Sequence, residues 1–566
     1  MLDLVRDSTF GQLVNWASSG RLLQYPDQRD DYVVPSKYLR RGSTATNGPF
    51  HSDSAFPRTL SEAPTLASGP ETLGGDDLDL EKHLEPVGGA HDAQSPSARY
   101  EWLVDWEEND SDRPLNWSSR KRLFVASLIS LLTFSVYVGS AIYTSSIPGI
   151  MAEFNIGQVG ATSGLTLFVA AYGLGPMLLS PMQEIPRWGR TPVYIIGLAL
   201  FVVFQIPEIL AKNVATILVF RFLSGLVGSP ALATGGASMA DIYSPQYLAY
   251  AVGAWAIGAV CGPIAGPVIG GFAAEGKDYR WPFLELLWIS GFALVVLFFL
   301  LPETLESTIL VRRAERLRKL TGNELLKAPA EVDRGADDTL GKVLKENVFR
   351  AFRLALEPSL AVAHAYIALV YAVFYLWFES FASLFNGIHH FGLGVGGLPY
   401  LTFVVSAAVT FPLYCLYIKY HMTPRMMTDP KFAPEAWLEI ALFASPFIPA
   451  SLLIFGWTAR ESVHWIVPII AAGLYLPGIF LAFQGIMVYV SMSYPVYAAS
   501  ILAGNALFRS VFASVFPLFG TKFFDALTIG GGSSLLAGVS ILMIPLLYLI
   551  MRYGAVLRAR SSFAQG

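Results

Sequence analysis

The stretch AVGAWAIGAVCGPIAGPVIGGF, Ala251 to Phe272, decides how the rest of the chain is read. It carries no charge and is long enough for a membrane-crossing helix. Yet six of its 22 residues are glycine and two, Pro263 and Pro267, are proline. Both residue types weaken helices. Gly258, Gly262, Gly266 and Gly270 recur every four residues. That spacing puts them on one helix face, where a second helix can approach backbone to backbone. The prolines are expected to kink the helix and free carbonyls beside that face. A close-packed, bent helix can seal a path and still rock. On spacing alone, generic helix packing reads equally well.

Working outward, the 566-residue chain is 14% charged and 53% hydrophobic. Soluble domains are about 25% charged, so this balance suits an integral membrane protein. A net charge of −4 points to no nucleic-acid partner. Cys261 and Cys415 both sit in apolar runs, which argues for two packed thiols rather than a disulfide framework. The N-terminus, MLDLVRDSTFGQ, lacks the apolar core of a signal peptide. Leu2 to Trp16 reads as a short amphipathic helix on the membrane surface. Most of the first ~115 residues, rich in Ser, Pro, Gly and Asp, read as a disordered cytosolic tail.

Mostly apolar runs of roughly 20 residues begin near Leu123, Gly157, Pro192, Ala215, Tyr247 and Pro282. After a polar stretch, six more begin near Pro358, Leu398, Ala436, Val463, Val496 and Gly530. Six plus six around a hydrophilic middle is the pattern of a secondary transporter built from two halves. The expected divisions are a tail over 1–118, a six-helix half over 119–302 and a cytosolic central loop over 303–357. A second six-helix half over 358–553 and a cytosolic tail over 554–566 complete the chain. Lys and Arg concentrate in alternate loops, from Arg120, Lys121 and Arg122 to Arg558 and Arg560, so both termini are expected to be cytosolic. The sequons at Asn109 and Asn116 then stay unglycosylated. The basic run RRAERLRKL, 312–320, reads as a solvated cytosolic helix or, alternatively, as a site for anionic lipid headgroups.

An enzyme is not expected. The eight histidines form no His-x-x-x-His pair, and His389 with His390 reads as a loop rather than a metal site. Charges inside spans are costly and therefore suspect. Arg221, Glu379 and Arg509 fall in the fourth, seventh and eleventh spans. Glu208 and Glu285 lie nearer predicted outer ends, where snorkelling accounts for them. A proton-driven cycle needs a group that changes charge, and arginine does not deprotonate. Glu379 is thus the candidate proton carrier and Arg221 the type of partner that would bias it. Aromatic residues crowd the seventh and tenth spans. Tyr371, Tyr375, Phe378 and Phe483, with Asn505 and Arg509, are the candidate lining of a cavity for apolar or planar ligands.

Gly253, Gly262, Gly266, Pro267, Gly270 and Gly271 fit G-x8-G-x3-G-P-x2-G-G in full. This resembles the fifth-span antiporter motif of the major facilitator superfamily, in its 12-span drug:H⁺ antiporter family, where the motif accompanies export. FRFLSG, with Arg221 and Gly225, resembles the family's fourth-span arginine motif, which implies a role in proton coupling. SPMQEIPRWGRTP resembles the loop motif between spans two and three. Glu184 would stand for its Asp, with Arg187, Gly189 and Arg190 for R-x-G-R, while Ser180 replaces the leading Gly and Ile185 and Pro186 are inserted. With Asp241, at the inner end of the fourth span, this loop is implied to form a cytosolic latch. RDSTFGQLVNW, DWEENDSDRPLNW, LATGGASMAD, YLWFESF and AGNALFRSVFASVFPLFG are similar to fungal plasma-membrane pumps for azoles and benomyl.

The resemblance implies an all-α membrane protein of the major facilitator fold, with twelve transmembrane helices in two six-helix halves. It implies a monomer in the plasma membrane that exports small hydrophobic drugs against inward-moving protons, contacts lipid and needs no cofactor beyond the proton gradient. Three alternatives stay open. Export of an endogenous toxin fits the same motifs. A sugar carrier is suggested by Pro302-Glu303-Thr304, although no matching Pro-Glu-Thr follows the twelfth span and the triplet also reads as a helix stop. A non-transporting sensor would need a modular cytosolic tail.

Overall fold

A computed structural model describes residues 2–39, 102–333, 349, 352–354, 357–429, 432–494 and 498–561. The disorder expected over 42–100, the rest of the central loop and the expected start near Val496 lie outside the described residues. Among the described residues the chain is helical, with two isolated bridges and no strand. Eleven helical segments are long and apolar enough to cross a membrane. The first six are Ser119–Phe154, Gln158–Gln183, Arg190–Ile209, Val214–Ile242, Pro245–Gly276 and Trp281–Leu300. The others are Pro358–Ile388, Leu393–Thr428, Pro434–Thr458, Ile466–Ser493 and Ser500–Ala559. The last is 60 residues long and holds two crossings, because Thr528 (φ 63°, ψ 164°) breaks the helix within it. Each begins close to where the apolar runs begin.

Packing follows side-chain size. In the fifth span a Cβ on Gly262 would fall 2.9 Å from the Tyr137 Cβ. One on Gly266 would fall 2.6 Å from the Ile142 amide nitrogen, and one on Gly270 2.8 Å from the Ile142 Cγ1. The four-residue glycine face therefore lies against the first span, where even a methyl group would push two backbones apart. The helix runs through Pro263 and Pro267 without interruption from Pro245 to Gly276. Gly253 and Gly271 face elsewhere. A Cβ on Gly253 would meet the Tyr414 ring at 3.0 Å, and one on Gly271 the Leu393 carbonyl oxygen at 2.5 Å, both in the eighth span.

The fifth and eighth spans thus form one seam between the first six crossings and the rest. The second and eleventh spans form the other, where Thr166 donates to the Ser514 carbonyl at 2.8 Å. The seventh span is buried at every residue from Val370 to Phe381, so it runs through the middle of the bundle.

The N-terminal tail departs from the disorder expected of it in its first 39 residues. Leu2–Asp7 and Thr9–Ala17 are two helices joined at Ser8, whose hydroxyl accepts from the Gly11 amide. Phe10 packs against Phe298 and Phe299 at the end of the sixth span, while Trp16 is 80% exposed. The basic helix Glu306–Thr321 holds this tail, which corrects the reading of RRAERLRKL as solvated or lipid-bound. Arg312 donates to Gln12 at 2.9 Å, Arg316 chelates Asp27 at 2.9 Å and covers the Tyr25 ring, and Arg318 binds Glu331. Arg313 pairs with Asp110. The apolar side of the same helix, Leu310, Val311, Ala314 and Leu317, closes a small second core with Tyr38, Val104, Leu326 and Ala328. Four arginines are thereby committed to the chain's own carboxylates and amides.

Candidate functional site

Three polar clusters lie along the bundle. The first sits at the end where the third span begins. Arg190 grips Asp241 with two N–H groups, the Nη2–Oδ1 contact measuring 3.1 Å, and the Thr304 hydroxyl adds a bond of 3.0 Å to the same carboxylate. Gly189 has φ +78°, and a side chain there would strike Glu303. Glu184 acts on Arg190 electrostatically from the exposed loop, where Arg187 is also exposed. Glu303 is the residue that sequence reasoning set aside as part of a helix stop. It is buried, and its carboxylate takes the backbone N–H groups of Arg190 and Thr191 at 3.0 and 3.3 Å and those of Thr304 and Leu305 at 3.0 and 3.1 Å. A carboxylate on the first amides of a helix is favoured by the helix dipole. Glu303 thus ties the start of the third span to the end of the sixth, beside the Arg190–Asp241 pair.

The second cluster is a cavity of ≈ 330 Å³ at the opposite end of the bundle. That volume is within the roughly 300–1,000 Å³ of small-molecule sites. Both groups of spans line it: Thr144, Pro148, Gln158 and Pro267 on one side, Phe378, Glu379, Asn386, Tyr400 and Thr521 on the other. Part of the wall is a π-helical turn, Ala382–Ile388, that continues the seventh span. Such turns recur at functional sites. Glu379 is buried, and its carboxylate accepts from the Thr521 hydroxyl at 2.9 Å.

The third cluster plugs the bundle between the other two. Tyr172 reaches Tyr371 at 2.8 Å and Tyr375 at 3.1 Å, and Tyr137 also bonds the Tyr371 hydroxyl. These four hydroxyls join the first, second and seventh spans. Arg509 lies over the rings of Tyr371 and Phe483 at 4.9 and 5.5 Å, and its Nε has no hydrogen-bond partner among the described residues. Asn505 stands apart, bonded to His364 at 2.8 Å. Of the six residues expected to line the cavity, Phe378 does so. Tyr371, Tyr375, Phe483 and Arg509 belong to the plug.

Arg221 lies outside these three clusters, and none of its contacts is with Glu379. Arg221 is 0% exposed. It donates to the carbonyls of Gly139 at 2.8 Å and Gly164 at 3.3 Å, and its guanidinium covers Phe168 at 4.3 Å and Tyr143 at 4.8 Å. The carboxylate within its electrostatic reach is Glu208, also 0% exposed, which accepts from the Ser224 hydroxyl at 3.0 Å. Snorkelling does not describe Glu208. It is the last residue but one of its helix yet turns inward onto the fourth span, a direction its place in the sequence does not reveal. The free thiols of Cys261 and Cys415 are as expected, and no group of three metal-ligating side chains occurs among the described residues.

Residues 129–517 match the family described as Major Facilitator Superfamily. The chain is similar to Transporter mfs1 of Schizosaccharomyces pombe, 42% identical over 82% of this chain and 88% of that one. It is also similar to the Cycloheximide resistance protein of Candida maltosa, 36% identical over the whole of both chains. Among solved structures, the proton:xylose symporter XylE aligns with a TM-score of 0.51 at 13% identity, covering 77% of this chain and 97% of that one, a likeness of fold alone. A family match across both six-span groups and two relatives at this identity place the chain in the Major Facilitator Superfamily, as a multi-pass membrane transporter.

Proposed function

We propose that the protein exports small hydrophobic toxicants, azoles and benomyl-like fungicides among them, across the fungal plasma membrane in exchange for protons moving inward. It works as a monomer in contact with lipid, with both termini cytosolic. The observation that carries this reading is the cavity: shared by both groups of spans, walled in part by the rings of Phe378 and Tyr400, and holding a buried carboxylate, Glu379, just before the π-helical turn. Aromatic walls suit planar, weakly polar ligands. The named activity of the cycloheximide-resistance relative supports the same substrate class.

Glu379 takes a proton from outside, the ligand leaves, the two groups of spans rock about their seams, and the proton exits inward. Each inward charge supplies about 2.3 kcal/mol per 100 mV. The Arg190–Asp241–Thr304 cluster serves as the cytosolic latch that closes the far end while the cavity is open. The glycine face of the fifth span seals the path along the first.

The test is retention of labelled fluconazole in yeast lacking its own drug pumps, with wild type, Arg221→Ala or empty vector, with and without a protonophore. Wild type is expected to lower retention, and the protonophore and the substitution each to restore it at equal surface abundance. Retention that never differs from empty vector removes azoles as substrates and leaves export of an endogenous toxin.

A further inference from the structure

We propose that Glu208 is a proton-binding site of the transport cycle, distinct from Glu379 and linked to the tyrosine plug through Arg221. This rests on the reading of the protein as a proton-driven exporter.

The local chemistry is incomplete in a specific way. Glu208 Oε1 receives the Ser224 hydroxyl, while Oε2 has no donor among the described residues. Gln205, three residues earlier on the same helix face, donates its amide to Ser224 at 3.3 Å and to the Phe201 carbonyl at 3.1 Å. Its own Oε1 also has no donor. Two fully buried acceptors therefore sit on one helix face, both tied to Ser224. Such orphaned groups are expensive in a bundle core. A proton on Oε2 turns the carboxylate from a pure acceptor into a donor and supplies what this face lacks.

The same proton changes the charge of the cluster. With Glu208 ionised, Arg221 is neutralised within the first group of spans. Protonation of Glu208 forms its O–H bond as a hydronium ion gives up one of its own and becomes water, and Arg221 is then left with an uncompensated charge. The titratable groups facing this pair are Tyr143, from a tight turn within the first span, and Tyr375 of the seventh span. The second span presents the Phe168 ring and the Gly164 carbonyl to Arg221, and the sixth presents the apolar Phe283 to Tyr143. Tyr375 is bonded to Tyr172 in the plug, so the charge change falls where the two groups of spans meet. Tyr143 is next in the chain to Thr144, which lines the cavity, so the pair lies toward that end of the bundle. Glu208 later returns its proton to the inner side.

The experiment uses the full-length protein in proteoliposomes, with labelled fluconazole as the probe. Accumulation driven by an imposed pH gradient and gradient-free exchange are both measured. Glu208→Gln is expected to lose driven accumulation by about tenfold or more while exchange stays within about twofold of wild type. If Glu208→Gln accumulates like wild type, Glu208 is not the site and the exporter reading stands. If wild type itself shows no gradient-driven accumulation, the reading as a proton-driven azole exporter falls, and this proposal falls with it. Ser224→Ala keeps the carboxylate and removes its donor. It is expected to move the midpoint of the pH profile of driven transport by about half a unit or more. An unmoved midpoint overturns the proposal even if Glu208→Gln fails to fold.

Discussion

A guanidinium in the middle of a membrane bundle has five N–H donors to satisfy and no bulk water to help. Arg221 places two on carbonyls of different helices and its faces on two rings. Lysine keeps the charge but has neither the fork nor the flat faces. Arg221→Lys is therefore expected to lose a charge-assisted hydrogen bond worth about 1.5–3 kcal/mol. Drug retention assays should show efflux reduced by at least about tenfold at unchanged surface abundance; efflux equal to wild type would count against any role for the planar group. The sequence marked Arg221 because a charge in an apolar run stands out. It did not mark its partner. Glu208 near a helix end looks harmless in one dimension, and only the rotation of the helix shows it facing inward.

Among the elements, the fifth span makes the sharpest forecast. Gly266 leaves no room, while a Cβ on Gly258 would meet Ser130 at 3.3 Å, where a small side-chain movement suffices. Gly266→Ala should therefore lower thermal stability in detergent and transport far more than Gly258→Ala. Equal effects would mean that spacing, not distance, was misread as a contact. The periodicity of these glycines was legible in the sequence, and so were the starts of the spans, because both are local patterns. The basic helix was not, since its partners lie far away along the chain.

That docked tail also responds to acid. Burial pushes the Asp7 carboxyl above its usual range in spite of Arg6 beside it. A carboxyl that holds its proton more tightly when docked than when free favours docking as pH falls from neutral toward the carboxylate range. Hydrogen-exchange protection of residues 2–17, corrected for intrinsic rates, should rise as pH falls from neutral toward the carboxylate range. A fall would reverse the assignment.

At the scale of the molecule, the proposed cycle turns on two seams and the proposed latch. The fifth–eighth and second–eleventh seams are made of small residues and few polar bonds, which suits surfaces that must slide. The latch is stronger. Removing one partner of a buried ion pair costs about 3–5 kcal/mol, whereas a single neutral hydrogen bond is worth about 1 kcal/mol. Asp241→Asn is thus expected to depress melting temperature and efflux well beyond Thr304→Ala, measured on purified protein and in the retention assay. Comparable effects would show that the ion pair contributes little. Here the sequence indicated Arg190 and Asp241 but passed over Glu303, whose value depends on helix amides that only the folded chain brings to it.

The docked N-terminus has a consequence in time. Gln12 meets Arg312, made 300 residues later, and Asp27 meets Arg316 after 289. At about 5–20 residues per second of synthesis, the first segment made waits on the order of 15–60 s for its seat. It can settle only once six crossings are inserted and the helix behind them has emerged. The earliest part of the chain is thus among the last to come to rest. A folded tag fused to Met1 would burden assembly in a way that the same tag after Gly566 would not.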